Sequence, residues 1–335
     1  LVRGRSLLEL AFERLEGVVP VERRWVCAAR EHEPEIHATL TTLQRGRYIG
    51  EPCGRDTLHA VGLSAAIIAR EDPDAVIGVF TADHVIAPVD QFRTAVEAAY
   101  AAAESLPDAL VTLGVSPRSP STAYGYLELG ESLGGRMRRV VCFREKPPAE
   151  LAQTYVAAGP ERFLWNSGMF VWRARTLLAA IRRYRPESAG ALERIGAAWN
   201  GGDRAAVLER EYAALRPISV DYAVMEPASH DSQFTVVACP LEAEWADVGS
   251  WPALAAILEK DADGNARGGG RSLLLGARGS LVVSEEPDHL IAAIGLDRMV
   301  VVHTPRATLI CPADRAEEIK QLHQRLVDEG LEGWL

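Results

Sequence analysis

Asp83 follows the apolar, β-branched run Ala75-Val76-Ile77-Gly78-Val79-Phe80 within Thr81-Ala82-Asp83-His84. A run of that type reads as a strand covered on both faces. Ligands of an open parallel sheet bind beyond the carboxyl ends of its strands, which puts the Asp83 carboxylate at a ligand-binding edge. A loop or cap aspartate would occupy the same place. A second carboxylate, Asp247, lies in Trp245-Ala246-Asp247-Val248-Gly249-Ser250-Trp251. Two aspartates on separate loops can share one hard cation, because Mg²⁺ takes a few carboxylates and fills its shell with phosphate and water oxygens. Asp247 equally suits the cap of a helix starting near Ser250, and spacing alone does not bring the two carboxylates together.

Lys146, in Phe143-Arg144-Glu145-Lys146-Pro147-Pro148, is one of three lysines against 33 arginines. Where arginine is the default cation, a lysine at a strand end suggests a compact point charge for a phosphate. The competing reading is an exposed Glu–Lys pair. Trp165-Asn166-Ser167-Gly168-Met169-Phe170 sets an amide suited to sugar hydroxyls beside a glycine that permits close approach. Its aromatics read as core. Glu51-Pro52-Cys53-Gly54-Arg55-Asp56-Thr57 is a polar loop before a helix N-terminus, a place for polar or anionic ligands. No G-x-G-x-x-G, G-x-S-x-G or H-E-x-x-H occurs, and His32 and His37 lack metal-site spacing.

These residues need a scaffold. Ser6-Leu7-Leu8-Glu9 is a capping box opening a helix. Short strands are expected at 24–29 and 48–50, a helix from Asp56 to Arg70, the strand at 75–80, a helix from Gln91 to about Ser105, and a strand at 109–114. This alternation predicts an α/β domain over residues 1–260, with a Rossmann-like, mixed but mostly parallel sheet. The turn-rich stretch Asp261-Ala262-Asp263-Gly264-Asn265 and the Gly268-Gly269-Gly270 run mark a hinge. Beyond it, apolar segments about ten residues apart predict a small β-rich unit over 265–335, built like a single-turn β-helix and closed by a helix from about Asp314 to Asp328.

Composition narrows the class further. The 335 residues are 48% hydrophobic and 24% charged, with a net charge of −10, an ordinary globular balance long enough to bury a full core. The acidic balance argues against nucleic acid or an anionic membrane as partner. Five isolated cysteines, an odd number without a C-x-x-C pair, predict free thiols and no zinc site among them. Neither a signal peptide nor a membrane span is legible, so a cytoplasmic location is expected. The chain begins at Leu1 without Met, and natural sequence upstream of it is expected.

Taken in order, Glu51-Pro52…Gly54-Arg55-Asp56-Thr57, Ala82-Asp83-His84-Val85-Ile86, Tyr124-Gly125-Tyr126, Phe143…Glu145-Lys146-Pro147, Trp165–Phe170, Asp221-Tyr222-Ala223-Val224-Met225-Glu226 and Asp247-Val248-Gly249-Ser250-Trp251 resemble the motifs of mannose-1-phosphate guanylyltransferases. The resemblance spans almost the whole chain. It implies a sugar nucleotidyltransferase fold and the reaction of GTP with mannose 1-phosphate to give GDP-mannose and diphosphate. It further implies Mg²⁺ on Asp83 and Asp247, which with Lys146 form the catalytic set. Glu145 and Asn166 are then expected on sugar hydroxyls, with Tyr124, Gly125 and Gly168 lining that pocket and Lys146 on the sugar phosphate. Glu51, Arg55 and Thr57 are expected to face the nucleotide. A homodimer supported by the β-rich unit is the accompanying expectation.

Three features depart from the family pattern. Its glycine-rich phosphate loop does not occur, and its place in the motif order is upstream of Leu1, so a chain starting there is expected to be a poor catalyst. Thr81 stands where Pro is usual, and Asp56-Thr57-Leu58-His59 replaces the commoner Asn-Thr-Ala-Pro. A cupin-like isomerase domain of the kind longer relatives carry is not expected within these residues. The alternatives are a nucleotidyltransferase for another sugar 1-phosphate, such as a manno-heptose, and a catalytically silent nucleotide-sugar-binding relative.

Overall fold

The computed structural model describes residues 5–334; the opening Leu1-Val2-Arg3-Gly4 lies outside them. Its strands are, in chain order, β1 (Val26–Ala29), β2 (Tyr48–Glu51), β3 (Val76–Val79), β4 (His84–Ala87), β5 (Ala109–Val115), β6 (Tyr126–Gly134), β7 (Met137–Arg144) and β8 (Phe163–Arg173). They continue with β9 (Thr235–Pro240), β10 (Glu244–Asp247), β11 (Ala266–Gly269), β12 (Arg271–Leu275), β13 (Leu281–Ser284), β14 (Leu290–Ile294), β15 (Met299–His303) and β16 (Thr308–Pro312). Two compact units result, one of residues 12–81 and 86–244, the other of residues 5–11, 82–85 and 245–334.

The larger unit holds a six-stranded sheet in the order β3-β8-β5-β9-β7-β6. Its core gathers Leu110, Phe143, Leu164 and Trp172 from the strands with Leu63, Leu177 and Leu192 from helices. The helices over Asp56–Glu71 and Val89–Ser105 fall where the sequence places them. The mixed α/β class is as expected, but "mostly parallel" is not. Only β5–β9 is parallel in this sheet, while β3–β8, β5–β8, β6–β7, β6–β8 and β7–β9 are antiparallel. Strand–helix alternation, the basis of the parallel reading, is interrupted after β5, where β6 and β7 follow with no helix between them. The chain then makes a hairpin at Gly134-Gly135, both at positive φ, and returns through the eleven-residue β8. β3 is the end strand of that sheet and largely half-buried, rather than covered on both faces.

In the smaller unit the capping box forms as read. Ser6 Oγ accepts from the Glu9 N–H at 3.1 Å, and Glu9 Oε2 accepts from the Ser6 N–H at 2.7 Å. Strands β11 and β13, β13 and β15, and β12 and β14 pair in parallel, and β16 closes antiparallel on β15. Ala266, Leu281, Val283, Val300 and Val302 form its core with Trp251 and Leu254. The last helix runs over Ile319–Asp328 after a 3₁₀ turn. No helix among the described residues is long and apolar enough to cross a membrane, and all five cysteines are free.

Candidate active site

The two aspartates singled out by sequence meet within the smaller unit. The Val248 N–H donates to the Asp83 carbonyl at 2.9 Å, which holds the turn after β10 against the residue before β4. Asp83, His84 and Asp247 each offer a ligand atom, and these atoms lie within 4.8 Å of one another. The Trp245 indole N–H donates to His84 Nδ1 at 3.2 Å. Nε2 is then the protonated nitrogen of the neutral ring, and it faces Asp83 Oδ1 at 3.7 Å. The cap alternative for Asp247 fails, because Ser250 caps the next helix by accepting from the Ala253 N–H at 3.3 Å.

Burial and the neighbouring Asp83 charge push the Asp247 carboxyl above the usual carboxylate range, opposed by a hydrogen bond from the Gly249 N–H. Two carboxylates with a half-buried member repel unless a cation lies between them. Their oxygens are the hard donors a magnesium-type ion prefers, so the residues present fit such an ion.

In the larger unit a second group assembles at the end of β7. Glu145 is 9% exposed, and its Oε1 stands 3.6 Å from Lys146 Nζ. Its Oε2 is buried without a hydrogen-bond partner. That oxygen fits only because residue 125 is glycine: a Cβ there would lie 2.5 Å from it. Burial, then the Asp221 charge, raises the Glu145 carboxyl to about 7, with Lys146 opposing. Asn166, on β8, donates from Nδ2 to Asp221 Oδ1 at 2.8 Å and accepts from the Thr112 hydroxyl at 2.7 Å. Its backbone N–H donates to the Gly125 carbonyl at 2.8 Å. Tyr124 packs edge-on to Trp165, with ring centroids 5.1 Å apart. Gly168 adopts φ +70°, a conformation that favours glycine.

Glu145, Lys146, Tyr124, Gly125, Asn166 and Gly168 thus belong to one unit, and the strand pairings β6–β7 and β6–β8 join the segments that carry them. Glu51, Arg55 and Thr57 form a different group. Glu51 accepts from the Tyr212 hydroxyl, Arg55 donates to the Ala213 carbonyl at 2.6 Å, and Thr57 Oγ1 accepts from the Val220 N–H at 2.9 Å. These side chains tie the start of the Asp56–Glu71 helix to residues 212–220.

Asp221 carries no role in the sequence reading, although it opens one of the motifs. It begins a π-helical turn over Asp221–Met225, a rare geometry frequent at functional sites. Burial raises its carboxyl to about 6, opposed by hydrogen bonding from the backbone and Asn166. Its partner Asn166 is 55 residues away in sequence, so nothing in the motif itself signals a buried carboxylate. Glu226, whose Oε2 accepts from the Glu145 N–H at 3.3 Å, was missed for the same reason.

Residues 1–264 match the family described as nucleotidyl transferase, and residues 270–326 match the mannose-phosphate isomerase/GMP-like β-helix domain. The chain is 37% identical to the xanthan biosynthesis protein XanB of Xanthomonas campestris pv. campestris (strain B100), over 84% of this chain and 57% of that protein. It is 35% identical to the mannose-1-phosphate guanylyltransferase of Escherichia coli K12, over 97% of this chain and 67% of that protein. It therefore spans between about half and two-thirds of the length of these relatives. A crystal structure described as a mannose-1-phosphate geranyltransferase from Thermus thermophilus superposes with a TM-score of 0.81 at 33% identity, covering 97% of this chain and 90% of that one.

Proposed function

The chain belongs to the nucleotidyl transferase family, and from that premise we propose that it joins GTP and mannose 1-phosphate into GDP-mannose and diphosphate. The observation that carries this reading is the approach of Asp83 and Asp247 to within 4.8 Å, ligand atom to ligand atom. A phosphate oxygen of the sugar phosphate attacks the α-phosphorus of the nucleotide, the bond to the bridging oxygen breaks, and diphosphate leaves. Such a transfer needs positioning and charge neutralisation rather than a covalent nucleophile.

Asp83 and Asp247 would hold a divalent ion, Mg²⁺ by the hardness of their oxygens. That ion, when bound, supplies neutralisation of the phosphate charge. Lys146 meets the sugar phosphate with its ammonium group. Glu145 accepts from sugar hydroxyls through the oxygen that lacks a partner, and Asn166 presents its amide to the same sugar. Asp221 orients Asn166 and is a positioning residue. The segment carrying Glu51, Arg55 and Thr57 is assigned to the nucleotide, with these side chains fixing its backbone.

The proposal extends to a cytoplasmic homodimer. Leu273, Leu275, Leu290 and Ile294 project from the β12–β14 pair with 53–80% exposure. Monomers rarely leave such a contiguous row uncovered. A second copy carries the same row. Sedimentation equilibrium that finds only monomer would remove this part alone.

The deciding assay offers all four nucleoside triphosphates with mannose 1-phosphate and other sugar 1-phosphates, with Mg²⁺ present. GDP-mannose should be the favoured product. Asp83→Asn and Asp247→Asn should each cut turnover at least about 100-fold with unchanged circular dichroism. Near-normal activity in either variant would overturn the assignment.

A further inference from the structure

We propose that Glu286, His289 and His303 form a transition-metal site of zinc type in the β-rich part of the smaller unit, separate from the aspartate pair. Each offers one ligand atom, and all three atoms lie within 4.8 Å of one another. The donor set is two imidazole nitrogens and one carboxylate oxygen. Zn²⁺ is commonly held by three such protein ligands with a fourth position left for water. Mg²⁺ and Ca²⁺ prefer oxygens alone and do not suit it.

The backbone delivers these groups from two places that the fold keeps in register. Glu286-Pro287-Asp288-His289 makes a turn between β13 and β14, closed by the His289 N–H donating to the Glu286 carbonyl at 3.2 Å. Pro287 suits the second position of such a turn. Ser284 braces the turn from both sides. Its Oγ donates to the Glu286 carbonyl at 3.1 Å and accepts from the Glu286 N–H at 3.2 Å. His303 ends β15, paired in parallel register with Ser284, and its carbonyl accepts from the Glu285 N–H at 2.9 Å.

The side chains are already in close quarters. His303 Nε2 lies 2.9 Å from Glu286 Oε2, and its Nδ1 lies 2.9 Å from the Thr308 hydroxyl. A partner on the second ring nitrogen is the usual support of a metal-bound histidine, because it fixes the ring and frees the other nitrogen for the metal. The His289 and His303 rings stack with centroids 3.8 Å apart and planes 16° from parallel. Lone pairs of parallel rings do not converge, so binding requires one ring to turn about its side-chain torsions. Glu286 and His303 are half-buried and His289 stands at the surface, which gives an ion access from solvent. An ion there clips the 285–289 turn to the end of β15 and joins successive strands of this segment.

The test is a Zn²⁺ titration of the full chain against a chromophoric chelator, with millimolar Mg²⁺ present. It is run in an Asp83→Asn/Asp247→Asn background so that the aspartate cluster contributes nothing. One Zn²⁺ per chain should bind. Loss of an outer partner of a metal ligand typically weakens binding about 10–100-fold. His289→Ala and His303→Ala, which remove ligands, should exceed that, and Thr308→Val should fall within it. Co²⁺ in place of Zn²⁺ should give visible ligand-field bands that vanish in His303→Ala, with circular dichroism unchanged. Absence of a one-equivalent site in the parent, or equal affinity in the histidine variants, overturns the proposal. Neither result bears on the transferase reading, which rests on other residues.

Discussion

Lys146 adopts φ +46° immediately before Pro147. A non-glycine residue there is strained by about 1–3 kcal/mol, and the residue before a proline is normally extended. From that backbone the exposed ammonium stands 3.6 Å from the Glu145 carboxylate. If Lys146 serves the sugar phosphate, Lys146→Gly relieves the backbone and removes the charge together. The expected outcome is an unchanged or raised Tm with KM for the sugar 1-phosphate increased at least about 10-fold, the worth of one charge-assisted hydrogen bond. KM for the nucleotide should move little. A lowered Tm with both KM values unchanged would make Lys146 merely structural. At this scale the sequence was informative where residue type was unusual: a rare lysine and an aspartate after an apolar strand. It was silent on Asp221, because a buried carboxylate is recognised by its surroundings, which a linear motif does not carry.

Two glycines show how elements limit what residues can do. At Gly125 an added Cβ would meet the end of the Glu145 side chain, with the Phe143 ring at 3.3 Å. At Gly269, φ +73°, it would lie 1.8 Å from the Ser284 carbonyl oxygen, which is backbone of the paired strand β13. A side-chain end can swing aside; a strand carbonyl cannot. Gly125→Ala should therefore cost little stability but raise KM for the sugar 1-phosphate by displacing the Glu145 carboxylate. Gly269→Ala should cost more than about 2 kcal/mol, overpacking plus a left-handed backbone. Denaturant titration and steady-state kinetics on the two variants separate these effects, and equal stability losses would refute the distinction. The elements themselves were largely legible: the short strands after residue 270 and the helices over 56–71 and 89–105 follow from periodicity and turn residues. Strand direction was not, because β8 and the β6–β7 hairpin pair by long-range packing that no local pattern encodes.

For the molecule as a whole, the same buried carboxyls set how stability responds to pH. Glu145 at about 7 and Asp221 at about 6 lie above their ordinary values of 4.5 and 3.8, both chiefly through burial. The folded chain thus keeps protons that the unfolded chain releases. Stability from this pair is fully present below the unfolded values and is lost as pH rises through the folded ones. Carboxylates held low by arginine partners, such as Glu131 beside Arg139 and Glu211 beside Arg194, act oppositely. Their contribution is complete above the ordinary carboxylate range and disappears only in acid. Between about pH 5 and 7.5 the buried pair, joined by Glu51 and Asp247, which burial also raises, pulls stability down, against the buried His59, whose lowered imidazole acts in the opposite sense. A net charge of −10 at pH 7 adds self-repulsion of the same sign as the carboxyls. Tm should fall across that interval, and Glu145→Gln should flatten the fall. A ligand whose hydroxyls donate to Glu145 binds the ionised form, so its stabilisation should grow over the same interval. Thermal melts with and without mannose 1-phosphate at pH 5, 6.25 and 7.5, at fixed ionic strength, measure both slopes. A ligand-induced shift in Tm that stays constant with pH in the parent chain would remove Glu145 from the sugar contact.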